Sequence, residues 1–118
     1  MSVNRMDKVN SNIKEVVSEI LRKVKDPRLS SLLSITDVIT SKDLRSSRIY
    51  VSLMTDSEEE KKRNLAALKS ASGYIRKELG RMISLKSTPE LNFYWDNSIE
   101  NGVNIIRKIE KLKEEGKF

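Results

Sequence analysis

Around residues 71–73 the chain sets cations on both sides of a run of small residues. Lys69 precedes Ala71-Ser72-Gly73, and Arg76, Lys77 and Arg81 follow it. Cations at helical spacing about a glycine suit one chemistry. They can neutralise and grip a phosphodiester backbone, and the glycine lets that backbone come close. An interior glycine costs a helix about 1 kcal/mol relative to alanine, so Gly73 is expected to mark a kink or a close contact. A helix that stopped and restarted there would present unpaired amide groups able to hold a phosphate. The alternative is a solvated charged face with a small-residue contact to a neighbouring helix. Lys42 with Arg45, and Arg5 with Lys8, are secondary candidates for phosphate contact.

Other chemistry is poorly provided for. The 118 residues include no His and no Cys. That removes zinc sites built on those ligands, thiol nucleophiles and histidine-based triads. Asp37, Asp43, Asp56 and Asp96 fall at strand interiors or ends, where turn and cap roles account for most of them. Four glycines build neither a Walker A loop nor a GxGxxG turn. An enzyme is therefore not expected, nor a metal or other cofactor.

The charge balance fits the phosphate reading. Lys and Arg number 23 against 17 Asp and Glu, a formal charge of +6. Residues 1–28 carry seven basic and four acidic side chains, and residues 57–82 again carry seven and four. Each stretch thus holds +3, half of the total. Within the first, Arg22, Lys23, Lys25 and Arg28 stand among Glu19 and Asp26, and as an RNA signal they are weak. Excess positive charge favours polyanions, and nucleic acid is preferred to a membrane surface. No stretch approaches the roughly 20 apolar residues that span a bilayer. The polar first residues lack the apolar segment of a signal peptide, so a cytoplasmic protein is expected. Six aromatic residues are too few for a confident stacking platform, although Tyr50 and Tyr94 could share one outer sheet face while Phe93 and Trp95 look inward.

The elements that must position these residues are legible as periodicities. Val9, Ile13, Val16, Val17, Ile20, Leu21 and Val24 form one helical stripe, which Pro27 must stop. Leu33 to Ser41 reads as a strand whose alternation slips near Asp37, the mark of a bulge. Ser46 to Met54 alternates cleanly, and Lys42-Asp43-Leu44-Arg45 is short enough to close a hairpin. Ser57 with Glu60 makes a capping-box pattern ahead of a long helix through Leu65, Leu68, Ile75, Leu79 and Met82. Pro89 opens a third strand, in which Leu91, Phe93 and Trp95 alternate with polar neighbours. A helix between the second and third strands is a crossover that would make them parallel. Ile99, Val103, Ile106, Ile109 and Leu112 predict a last helix, led by an Asn97–Glu100 capping pair. The expected fold is α+β: one domain over residues 1–118, ordered over about 5–112, with a three-stranded sheet and helices on one face.

These residues resemble a known family. Asp26-Pro27-Arg28, Ser41-Lys42-Asp43-Leu44, Ile49-Tyr50-Val51-Ser52, Ala71-Ser72-Gly73-Tyr74-Ile75-Arg76 and Pro89-Glu90-Leu91-Asn92-Phe93, in that order and spacing, are similar to bacterial ribosome-binding factor A. The likeness runs from about Arg5 to Leu112. It implies a KH-like domain of type II, in which an Ala-x-Gly kink between two helices stands where other KH domains have GxxG. It also implies a monomeric, non-enzymatic assembly factor that binds the free or immature small (30S) subunit and 16S rRNA. Such a factor assists late maturation and processing of the rRNA 5′ region, supports growth in the cold and is released by a maturation GTPase. The charged helix and the resemblance together give as contact residues Lys69, Ala71, Ser72, Gly73, Arg76, Lys77 and Arg81, then Lys42, Arg45, Arg5 and Lys8. Some members carry a longer C-terminal extension, whose contacts are not assumed for this sequence. Two other readings explain the charge: a general basic nucleic-acid-binding module, and a protein-interaction domain with an acidic partner.

Overall fold

The computed structural model describes residues 5–55, 57–85 and 87–97. The last predicted helix, with Glu100 of its capping pair, lies outside the described residues. Helix α1 spans Arg5–Leu21, strands β1 and β2 span Ser34–Thr40 and Ser46–Ser52, helix α2 spans Glu58–Met82, and strand β3 spans Glu90–Trp95. The strands lie in the order β1-β2-β3. β1 pairs antiparallel with β2, and β2 pairs parallel with β3, with α2 as the crossover that a parallel pair needs.

α1 buries Ile13, Val16, Val17 and Ile20 from the predicted stripe. It ends at Leu21, one turn before the expected stop. Two tightened bonds, from the Lys23 amide to the Ile20 carbonyl and from the Val24 amide to the Leu21 carbonyl, close it at 2.9 and 3.2 Å. Val24 still packs against the core. In β1 the register shifts between Ile35 and Asp37. Ile35 and Val38 both face the core although they are three residues apart, and the bulge is what resets the pleat between them. In β2, Ile49 and Val51 are fully buried.

Ser57 caps α2, its Oγ accepting the Glu60 amide at 3.1 Å. The return half of the box is rerouted. Thr55 Oγ1 donates to Glu60 Oε2 at 2.7 Å and accepts the Ser57 amide at 3.1 Å. The expected break at residues 71–73 is absent, because α2 runs unbroken from Glu58 to Met82. Leu68 before Gly73 and Ile75 and Leu79 after it are all fully buried. Packing on both sides of the glycine outweighs its low helix propensity. The amides of residues 71–73 therefore belong to the helix, and no restarting N-terminus is there to hold a phosphate.

α1 covers β1, α2 covers β3, and the two helices touch. Both run opposite to the strand beneath them. Asn10 Oδ1 accepts the amide of Thr40, at the end of β1, at 3.0 Å. The Lys61 Nζ lies 5.7 Å from the ring centroid of Trp95, at the end of β3. The molecule thus has two distinct ends. One gathers the β1–β2 hairpin, the start of α1, the end of α2 and the lead-in to β3. The other gathers the end of α1, residues 22–33, the start of α2 and the end of β3.

Candidate nucleic-acid interface

The hairpin end is built around two backbone contacts that no local pattern foretells. The Glu90 amide donates to the Arg45 carbonyl at 2.8 Å, so the hairpin sits beside the start of β3. The Arg76 guanidinium donates to the Thr88 carbonyl through Nη2 at 2.9 Å and Nε at 3.3 Å. Together they bring Arg45 of the hairpin and Arg76 of α2 to residues 88–90, where the chain enters β3.

The hairpin itself is pinned. The Ser41 amide donates to the Ser46 carbonyl, and the Leu44 amide to the Ser41 carbonyl, each at 2.9 Å. Leu44 takes a left-handed conformation, φ 61°, which is rare for a bulky side chain. Asp43 Oδ1 accepts the Ser41 hydroxyl at 2.6 Å and the Arg45 amide at 3.0 Å. These bonds, the hydroxyl's first, hold the Asp43 carboxyl below the usual carboxylate range. Lys42 and Arg45 project from this fixed turn and are exposed. Arg45 also lies 3.8 Å from Asp43, across an exposed pair that contributes little.

α2 supplies the floor. Lys69, Gly73, Arg76 and Gly80 follow one another at four-, three- and four-residue steps, so they share one stripe, and all four are exposed. The stripe is closed at one end and open at the other. A Cβ on Gly80 would stand 2.7 Å from Thr88 Oγ1, whereas a Cβ on Gly73 would meet nothing within 4 Å. Bare helix at Gly73 is thus bounded by Arg76 and the Thr88 segment on one side and by Lys69 on the other. This is where a phosphodiester can lie closest to helix backbone.

The remaining candidates divide. Lys77 is exposed and, like Lys69, has no ion-pair partner among the described residues. Arg81 pairs with Glu78 at 3.1 Å. Ala71 packs against the core, and the Ser72 hydroxyl donates to the Lys69 carbonyl at 2.8 Å. Of the Ala-Ser-Gly run Gly73 is the most exposed, while Ala71 and Ser72 are half-buried. Arg5 and Lys8 are exposed on the first turns of α1. Asn10 brings that end of the helix to Thr40, beside the hairpin. Of the predicted cations, only Lys69 stands away from the hairpin end, near the middle of α2.

Two residues escaped the sequence reading. Gly80 lies seven residues after Gly73, two helical turns along the same stripe, and that spacing was the available signal. Tyr74 is 48% exposed, beside Gly73 and one turn from Lys77, and offers an aromatic face among the cations. Tyr50 and Tyr94 do share the open sheet face, with ring centroids 5.7 Å apart at a tilt of 32°, and Phe93 and Trp95 pack toward the core. Among the described residues no helix is long and apolar enough to cross a membrane.

Comparison with known proteins gives this arrangement a family. The profile described as Ribosome-binding factor A matches residues 5–109. A protein of that name from Acetivibrio thermocellus is 47% identical over 98% of this chain and 94% of its own length. Another, from Dictyoglomus thermophilum, is 50% identical over 92% and 90%. A solution structure from Thermotoga maritima matches with a TM-score of 0.71 and 30% identity, over 80% of this chain and 89% of that one. Coordinates of Thermus thermophilus ribosome binding factor A, fitted into a map of a 30S–RbfA complex, match with a TM-score of 0.61 and 27% identity, over 75% and 91%. These neighbours share the KH-like arrangement of a mixed three-stranded sheet under two helices, and the chain belongs to the ribosome-binding factor A family.

Proposed function

We propose that this protein binds the small ribosomal subunit through 16S rRNA, gripping it with its hairpin end. The reading is supported by the meeting of Arg45 and Arg76 at residues 88–90, with Lys77 a turn beyond bare Gly73 and Lys42, Arg5 and Lys8 at the same end of the domain, in a chain of this family. Arg76 is held by Thr88 and presents its remaining donors outward. Lys42, Arg45 and Lys77 neutralise neighbouring phosphates, and a sugar-phosphate segment lies over Gly73. The protein acts as a monomer and makes or breaks no bond. Its binding energy favours the rRNA arrangement that fits this surface, so it works by selecting a conformation. Late maturation, including the processing of the rRNA 5′ region, is the step such selection would serve. Release by a maturation GTPase would then follow from a change in the subunit that removes the fit.

Co-sedimentation tests the proposal. At low salt the protein is expected to travel with small subunits from Acetivibrio thermocellus on a sucrose gradient, and K42Q/R45Q/K77Q to remain near the top. Wild-type protein that stays at the top defeats the proposal. A triple variant that travels undiminished moves the interface elsewhere. Equal competition by duplex DNA would instead favour a general basic nucleic-acid module.

A further inference from the structure

The end opposite the hairpin carries a feature that the proposed interface does not use. A cavity of 380 Å³ opens between the last turn of α1 and residues 29–35. That is the size of a small-ligand site. Leu21 and Val24 form one wall, and Leu29 and Leu33 another. Ser31 and Ser34 also line it; both are exposed, and neither hydroxyl has a partner among the described residues. Leu32 stands between the lining residues Ser31 and Leu33 with 79% of its surface exposed.

The frame around the cavity is braced. Arg28 chelates Asp26, with Nη2 to Oδ2 at 2.8 Å and Nε to Oδ1 at 3.1 Å, and the Arg28 amide adds a bond to Oδ1 at 2.9 Å. The Ser30 amide donates 2.8 Å to the Oδ1 of buried Asn64. Asn64 is fixed in turn by donating from Nδ2 to the Glu60 carbonyl at 2.9 Å. The loop is thereby tied to α2.

The rim is cationic. Arg22 lines the cavity, and Lys23 and Lys25 follow it; all three are exposed, with no partner among the described residues. The fourth cation, Arg28, spends its charge on Asp26. Apolar walls, open hydroxyls and the unpaired Arg22 at one mouth suit the face of a base, its polar edge and its phosphate.

We propose that this cavity takes one unstacked nucleotide of single-stranded RNA, a second contact that rests on the reading of the protein as an rRNA binder. The base lies against Leu21, Val24 and Leu33, its edge meets Ser31 and Ser34, and its phosphate meets Arg22. An RNA held at both ends of the domain is fixed in direction as well as in place.

Nuclear magnetic resonance on the labelled full chain tests this, with single-stranded hexauridylate and hexa-adenylate as probes. Amide shifts are expected at Arg22, Ser31 and Ser34, apart from any at the hairpin end. S31W, which fills the mouth from an exposed position, should abolish them while the hairpin-end shifts persist. R22Q, a surface change that leaves the fold in place, should weaken the cavity-end shifts several-fold and flatten their salt dependence by about one unit. Shifts confined to the hairpin end overturn the cavity proposal and leave the main interface standing. Shifts at the cavity that R22Q and S31W leave unchanged also overturn it. Shifts at neither end count against both readings.

Discussion

The two ends of this domain both carry cations, yet they hold them differently. At the hairpin end Arg76 and the turn that carries Arg45 are held in place beside a bare stretch of helix. Arg76 is tied to Thr88, and Arg45 stands on a turn locked by Asp43. At the other end the framework is rigid, through Asn64 and the Asp26–Arg28 clasp, while Arg22, Lys23 and Lys25 are free of it. The first arrangement suits a shaped backbone, because fixed cations match fixed phosphates. The second suits a flexible strand end, because a preformed slot can take one base while loose cations follow its phosphates.

The comparison can be broken most severely at Asn64. N64A leaves the half-buried Ser30 amide without its partner and frees the loop from α2. A loss of about 1–3 kcal/mol is expected, read as a lower denaturant midpoint, and the cavity loses its shape while the hairpin end keeps its RNA affinity. Should N64A weaken both ends alike, the ends are not independent.

Arg76 comes next. R76Q removes both the charge and the bonds to Thr88, and R76K keeps the charge but cannot make the paired contact. If anchoring matters, R76K should lose most of the RNA affinity that R76Q loses. Affinity close to wild type in R76K would reduce Arg76 to a point charge.

Gly73 and Gly80 give a smaller and sharper contrast. G73A adds a methyl into open space inside a helix and should stabilise the fold by about 0.5–1 kcal/mol. G80A should gain less, because its Cβ crowds Thr88 Oγ1. If RNA lies against Gly73, G73A becomes more stable and binds more weakly. Thermal melts and binding isotherms on the same samples separate the two effects.

The smallest effect is that of acid. Asp26 and Asp43 are both held below the ordinary carboxylate range, Asp26 chiefly by the Arg28 side chain and Asp43 chiefly by the Ser41 hydroxyl. A lowered folded value means that their contribution is complete above the unfolded value of about 3.9. It is lost as the pH falls through the folded one. D26N and D43N should each make the stability profile flatter below about pH 4 and leave it unchanged in slope near neutrality. A slope change near pH 7 would contradict this.

How much of this was legible depended on how local each cause is. The stripe of Ile13, Val16, Val17 and Ile20, the alternation around Ile49 and Val51, the slip at Asp37 and the Ser57 cap are short-range patterns, and the fold reproduces them. The expected stop and restart at Gly73 is not there, because helix continuity at that point is decided by the burial of Leu68, Ile75 and Leu79 and not by the glycine's own preference. The site was legible as a set of cations but not as a surface. Arg76 meets Thr88 twelve residues away, and the hairpin meets β3 across some forty-five, distances at which spacing carries no signal. The cavity was invisible for the same reason. Its walls come from the end of a helix and a loop, and the sequence showed there only a charge run that acids partly offset.

The central claim is that cations at the hairpin end neutralise rRNA phosphates. The most direct measurement is the salt dependence of binding to small-subunit rRNA, wild type against K42Q/R45Q/K77Q. Affinity falls with salt in proportion to the phosphates neutralised. The account predicts that the slope of log affinity against log salt flattens by about three units in the triple variant, one for each lost contact. A slope identical to that of the wild type would contradict it.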